Sequence, residues 1–202
     1  KRGSYMFIHE MFQQKPCVFS VEVFPPKKAG AAEETLYPVL RELCTLGPDY
    51  ISVTYGAGGG TAGQSTAKIA SYIKNGLHVE ALAHLTCVNS TRVQVEETLT
   101  RLREDNVENV LALRGDINPD LPRRMDFLHA SDLAKAIAQT GGFGVAGACY
   151  PEGHVESPSL KADVESLRYK ACQQPRRVHW RKRAFPILSH SCSLTMSAIT
   201  AF

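Results

Sequence analysis

The chain has 202 residues, 44% hydrophobic and 21% charged, which is the balance of an ordinary globular domain with enough length to bury a core. No apolar run approaches the ~20 residues of a membrane span, no secretory leader is readable, and six cysteines without CxxC spacing argue against a zinc site or a disulfide framework, so a reducing cytoplasm is the expected setting. The net charge of +3 is uneven: residues 171–202 hold five arginines and lysines and no acid, a net +5, which leaves −2 on the other 170.

In chain order, short β-rich runs alternate with longer helical ones. Val18–Phe24 predicts a strand, closed by Pro25 and Pro26, neither of which can donate to a sheet ladder. Ala32–Leu46 has helical spacing. Tyr50–Thr54 predicts the second strand, Thr66–Lys74 a helix, Glu80–His84 the third strand and Arg92–Asp105 a helix. Asn109–Leu113 predicts the fourth strand, Ser131–Thr140 a helix, Gly144–Cys149 the fifth strand and Leu160–Lys170 a helix. Ser90 with Thr91, and Ser131 with Asp132, supply N-cap chemistry. Strand, helix, strand, with crossovers of this length, requires a parallel sheet with helices packed outside it.

Polar residues cluster where those strands end. Glu22 interrupts an apolar strand, and a buried carboxyl has to be hydrogen-bonded, paired or functional. Thr54, His84, Arg114 with Asp116, and Tyr150 occupy the ends of the four strands that follow. A doubly wound sheet concentrates chemistry at one switch point. A barrel gathers every strand end at one mouth, so five loaded ends favour an α/β (β/α)8 TIM barrel. Gly56–Gly60 fails the dinucleotide fingerprint because Thr61 takes the third glycine position. Arg114-Gly115-Asp116 suits an anionic or polar ligand, and is otherwise a local turn with a weak surface pair. His84 reads either as a satisfied core residue or as a site residue.

Five motifs in order resemble one family: Val21-Glu22-Val23-Phe24-Pro25-Pro26-Lys27, Val53-Thr54-Tyr55-Gly56-Ala57-Gly58-Gly59, His84-Leu85-Thr86-Cys87, Leu111-Ala112-Leu113-Arg114-Gly115-Asp116 and Tyr150-Pro151-Glu152-Gly153-His154. Residues 6–170 thereby resemble the first five βα units of methylenetetrahydrofolate reductase, a flavin-dependent barrel. The resemblance implies FAD as cofactor, NADH or NADPH as electron donor, and reduction of 5,10-methylenetetrahydrofolate to 5-methyltetrahydrofolate, the methyl source for methionine. It implies Glu22 as general acid and Asp116 as a residue that contacts the folate and tunes the flavin. Thr54 is implied near the nicotinamide, and Tyr55, His84, Arg114, Gly115, Ala130, Tyr150, His154, Asp163 and Lys170 as holding FAD. His129 stands where many members carry tyrosine, and Ser166 where asparagine is frequent. No metal, nucleic acid or membrane is implied, and the full-length protein is expected to be a homo-oligomer. The alternatives are an inactive fragment of that enzyme, another flavin-dependent barrel oxidoreductase, or a basic-tailed nucleic-acid binder; the last lacks aromatic interleaving.

After Lys170 the resemblance stops, and no helix or strand period follows. Codons permitted by His190–Ile199, read in another frame, allow Gln-Leu-Phe-Phe-Asp-Asn-Glu-Arg-Tyr, which resembles the family's next motif. The expected organisation is therefore 1–5 as upstream translation, 6–170 as a partial barrel and 171–202 as an out-of-frame tail. Five strands of eight would leave two parallel edges unpaired, so weak FAD binding and a tendency to aggregate are expected.

Overall fold

Period-two alternation sorts each strand into an outward face that meets helices and an inward face that carries the polar residues. The computed structural model describes residues 6–26, 28, 30–55, 62–116, 125–148, 153–154, 157–172 and 199–201. Its strands β1 (Ser20–Val23), β2 (Tyr50–Val53), β3 (Glu80–Thr86), β4 (Asn109–Leu113) and β5 (Gly144–Ala148) lie side by side in chain order. All four of these pairings are parallel. The order never reverses, so there is no switch point, and the helices that join consecutive strands pack on one face. Five parallel strands alternating with helices are what a partial TIM barrel requires.

The helices are α1 (Ile8–Gln14), α2 (Tyr37–Cys44), α3 (Ala62–Ser71), α4 (Arg92–Glu104), α5 (Ala130–Thr140) and α6 (Leu160–Cys172). Two predicted helices are interrupted: a π-helical turn at Ala32–Leu36 leads into α2, and another at Tyr72–Gly76 follows α3. Outward-facing Val23, Ile51, Val53, Ala83, Leu85 and Val110 pack against Leu40, Ile69, Ile73, Leu99, Leu133 and Ile137 of the helices. Each of the valine, leucine and isoleucine side chains among them contributes about 1.5–3 kcal/mol by leaving water.

The inward face is closed at its lower end by α1, an element the strand–helix pattern does not predict. Ile8 and Met11 pack on Tyr50, Leu82, Leu111 and Ala146. Asn109, buried at the start of β4, fastens the helix: its Oδ1 accepts from Ile8 N at 3.0 Å, and its Nδ2 reaches Met6 O and Glu80 Oε2, each at 3.3 Å. Lys74 in turn pairs with Glu80. The start of α1 is capped by Glu10, whose carboxylate accepts from Phe7 N at 3.0 Å.

The capping residues differ in detail from expectation. Thr91, not Ser90, caps α4, with Oγ1 accepting from Gln94 N at 3.2 Å; Ser90 Oγ instead donates to Thr86 O at 3.0 Å. At α5 the cap position is His129, and Asp132 reaches back to accept from its N–H at 2.9 Å while Ser131 is buried within the helix. The tail, expected to hold no strand, contributes β6 (Ile199–Ala201), which pairs antiparallel with β5 through Gly147 and Thr200. One of the two edges expected to be bare is therefore paired. Among the described residues no helix is long and apolar enough to cross a membrane.

Candidate active site

Glu22, Ser52 and His84 come from three adjacent strands and meet on the inward face. The register places Glu22 beside Ser52 and Ser52 beside Leu82, so His84 projects one inward step further along β3. Ser52 Oγ donates to Glu22 Oε2 at 3.3 Å. His84 Nε2 lies 3.4 Å from the same oxygen, with the side chains 7% and 19% exposed for His84 and Glu22. Burial raises the Glu22 carboxyl above its ordinary value, and the Ser52 bond offsets only part of that rise. Burial also pushes the His84 imidazole down to about 4. The ring is therefore neutral near pH 7, and its approach to Glu22 is a polar contact rather than a fixed ion pair. Among the described residues Nε2 is buried without a hydrogen-bond partner.

The remaining candidates sit at the strand ends. Thr54 follows β2, its N–H donating to Val23 O at 3.0 Å while its carbonyl accepts from Thr66 Oγ1 at 3.0 Å. Arg114 is half-buried just past β4, and its carbonyl accepts from Cys87 N at 3.1 Å and Val88 N at 2.8 Å, which ties this end to the loop after β3. Gly115 has φ +84°, and a Cβ there would come within 3.0 Å of Thr86 Cβ, so the position takes glycine for both its conformation and its close approach. Asp116 is exposed, and among the described residues no contact joins it to Glu22.

Further out, the Cys87 thiol donates to His129 O at 3.7 Å, linking the loop after β3 to the start of α5, where Ala130 is half-buried. Burial pushes that thiol up to about 12, so it is no nucleophile. His154 and Asp163 are brought together, with His154 N donating to the carboxylate at 3.3 Å. Tyr55 turns away from Glu22: its phenol, pushed up by burial, bonds Ser90 and lies beside Gly63, where a Cβ would come within 3.1 Å of the hydroxyl. Tyr150, Gly56–Gly60 and the side chain of Lys170 lie outside the described residues. Ser52 is the site residue that motif reading misses; the pairing of β1 with β2 is what puts it beside Glu22.

Fold and site together define a barrel-type α/β protein with a protonatable carboxyl on the inward face of its first strand and polar groups on the next three strand ends. The family profile described as methylenetetrahydrofolate reductase matches residues 7–173. A 5,10-methylenetetrahydrofolate reductase of Pectobacterium carotovorum subsp. carotovorum is 37% identical over 151 residues, 75% of this chain and 49% of the relative. That of Escherichia coli (strain K12) is 34% identical over 151 residues, 75% of this chain and 50% of the relative. Methylenetetrahydrofolate reductase (NADH) 1 of Arabidopsis thaliana is 37% identical over 153 residues, 73% of this chain and 26% of the relative. The chain belongs to the methylenetetrahydrofolate reductase family. It spans about half the length of the bacterial relatives it matches.

Proposed function

We propose that this chain is the N-terminal portion of an enzyme that reduces 5,10-methylenetetrahydrofolate to 5-methyltetrahydrofolate in the cytoplasm, with Glu22 as its general acid. The carrying observation is the half-buried Glu22 carboxyl on the inward face, raised by desolvation. Burial moves the carboxyl in the direction that an acid working near neutral pH needs. In this reading Glu22 protonates the amine nitrogen released as the folate's methylene bridge opens. The C–N electron pair goes to that nitrogen, and the remaining iminium carbon accepts hydride.

The donor set suits a flavin dinucleotide. Thr54, His84 and Arg114 place a hydroxyl, an imidazole and a half-buried cation on three adjoining strand ends, and Gly115 turns the backbone beside the cation. These are the groups that bind ribityl hydroxyls and phosphates. FAD, when bound, carries hydride from NADH or NADPH to the folate. Arg114 and Gly115 would hold its phosphates, with Tyr55, Ala130, Tyr150, His154, Asp163 and Lys170 as further contacts. Asp116, exposed at the same rim, would meet the folate, and Thr54 the nicotinamide.

The proposal also assigns 6–170 to the barrel and 171–202 to a frame-shifted tail. The family match ending at residue 173, close to where the expected pattern breaks, supports this. The full-length enzyme would be a homo-oligomer. The test is Glu22→Gln in the frame-restored protein. Folate reduction should fall about 10²–10⁴-fold, while reduction of bound flavin by nicotinamide, which needs no such acid, stays within about twofold. Equal loss in both half-reactions would count against an acid role.

A further inference from the structure

The two contacts on Glu22 fall on the same oxygen. Ser52 Oγ donates to Oε2 at 3.3 Å, and His84 Nε2 stands 3.4 Å from that atom, buried and with no hydrogen-bond partner among the described residues. We propose that Ser52 and His84 are positioning residues that divide the labour of the Glu22 carboxyl: both donate to Oε2, which leaves Oε1 as the oxygen that carries the proton to the bound ligand. This rests on the reading of Glu22 as the acid.

A neutral imidazole has one N–H and one bare nitrogen, so Nε2 either donates to Oε2 or accepts a proton from it. Acceptance would require Oε2 to be the protonated oxygen, yet Ser52 already donates there, and a hydroxyl-type oxygen is the weaker acceptor. Donation satisfies all three groups. Nε2 then carries the proton, Oε2 behaves as the carbonyl oxygen, and Oε1 holds the acidic hydrogen. Nδ1 is the nitrogen left for a cofactor.

The arrangement favours proton release. When the Oε1–H bond breaks, its electron pair stays on Glu22 and the proton forms the N–H bond of the ligand. The new negative charge falls on a carboxyl whose Oε2 has the Ser52 hydroxyl at 3.3 Å and His84 Nε2 at 3.4 Å, and bonds to a charged acceptor are the stronger kind. Stabilisation that grows as the proton leaves lowers the barrier rather than only tightening binding. Contacts of 3.3 and 3.4 Å leave room for both to shorten as charge develops on Oε2. The titratable neighbour from β2 is Tyr50, whose phenol burial pushes up, with the charge of Glu22 adding to the rise. It stays neutral and does not compete.

The experiment uses the full chain without flavin, labelled with carboxyl-¹³C glutamate and ¹⁵N histidine, each variant checked for its fold by circular dichroism. The nitrogen spectrum of the unmutated chain should show Nε2 protonated. Ser52→Ala and His84→Leu should each raise the Glu22 titration midpoint by about 0.7 pH unit, the loss of one donor. His84→Gln, which keeps an N–H, should restore most of that shift. A bare Nε2, or a midpoint that stays put or falls in Ser52→Ala, overturns the proposal. Because flavin and turnover are absent from the measurement, failure of the reductase reading would show separately, as absence of flavin binding or of folate reduction.

Discussion

Lowering the pH from 7 to 5 perturbs His84, the buried base on the inward face. Its pKa is pushed from an ordinary 6.5 to about 4 by desolvation. Between those values the unfolded chain binds a proton that the folded chain refuses. Stability from this group is therefore fully present above pH 6.5 and lost as the pH falls toward 4. At pH 5 the unfolded imidazole is almost wholly charged and the folded one almost wholly neutral, which costs about 2 kcal/mol relative to pH 7. Against the 5–15 kcal/mol typical of a domain, that is a large fraction. It should move a urea midpoint down by about 1 M. Three carboxyls bear on the window, and burial raises Glu108 in the same direction as Glu22. Burial alone would raise Asp49, but Lys15 and the Phe19 N–H pull it below its ordinary value, so it titrates at lower pH. Glu22 has the opposite sign: its folded pKa is raised, so acidification through that value adds stability. Urea unfolding followed by circular dichroism at pH 5, 6 and 7 checks this in the unmutated chain and in His84→Leu. The unmutated midpoint should fall with pH, and the variant's should hold or rise. Parallel curves for the two chains would refute the assignment to His84.

Three further outcomes are expected. Gly115→Ala forces a Cβ to 3.0 Å from Thr86 at a φ of +84°, and should cost about 1–2 kcal/mol; an unchanged urea midpoint would mean that the loop after β3 yields without strain. Asn109→Ala leaves Ile8 N–H without its acceptor and Glu80 with one donor fewer, a loss of about 2–3 kcal/mol. Hydrogen exchange should show it first at the amides of α1, and equal acceleration in β4 would contradict that helix's being held by this side chain. Resequencing the gene across codons 168–192 should reveal a lost or gained base, whereas one uninterrupted frame encoding Ala171–Phe202 would end the frameshift reading.

Strands and helices were legible because their signals are local. Val21, Val23, Ile51 and Val53 alternate with polar neighbours, and all five strand predictions differ from the structure by no more than two residues at either end for this reason. Helix α1 was not legible. Its two buried residues, Ile8 and Met11, are too few for a period, and it holds its place through Asn109, about a hundred residues away. The π-helical turns escaped as well, since their apolar spacing passes for that of an α-helix. At the site, Glu22 stood out as an acid in an apolar run. Ser52 did not, because a serine in a strand signals nothing until the register sets it beside a carboxyl.

The sequence by itself determined the parallel α/β class, the family and the strand ends that carry chemistry, because side-chain alternation and ordered motifs need no knowledge of distant neighbours. Only the tertiary structure decided how those residues act on one another. Placing β1, β2 and β3 side by side took Glu22 and His84 out of water in opposite titration directions and set both Ser52 and His84 against one carboxyl oxygen. Desolvation and hydrogen-bond geometry depend on what packs nearby, and packing is not written in any single segment of the chain.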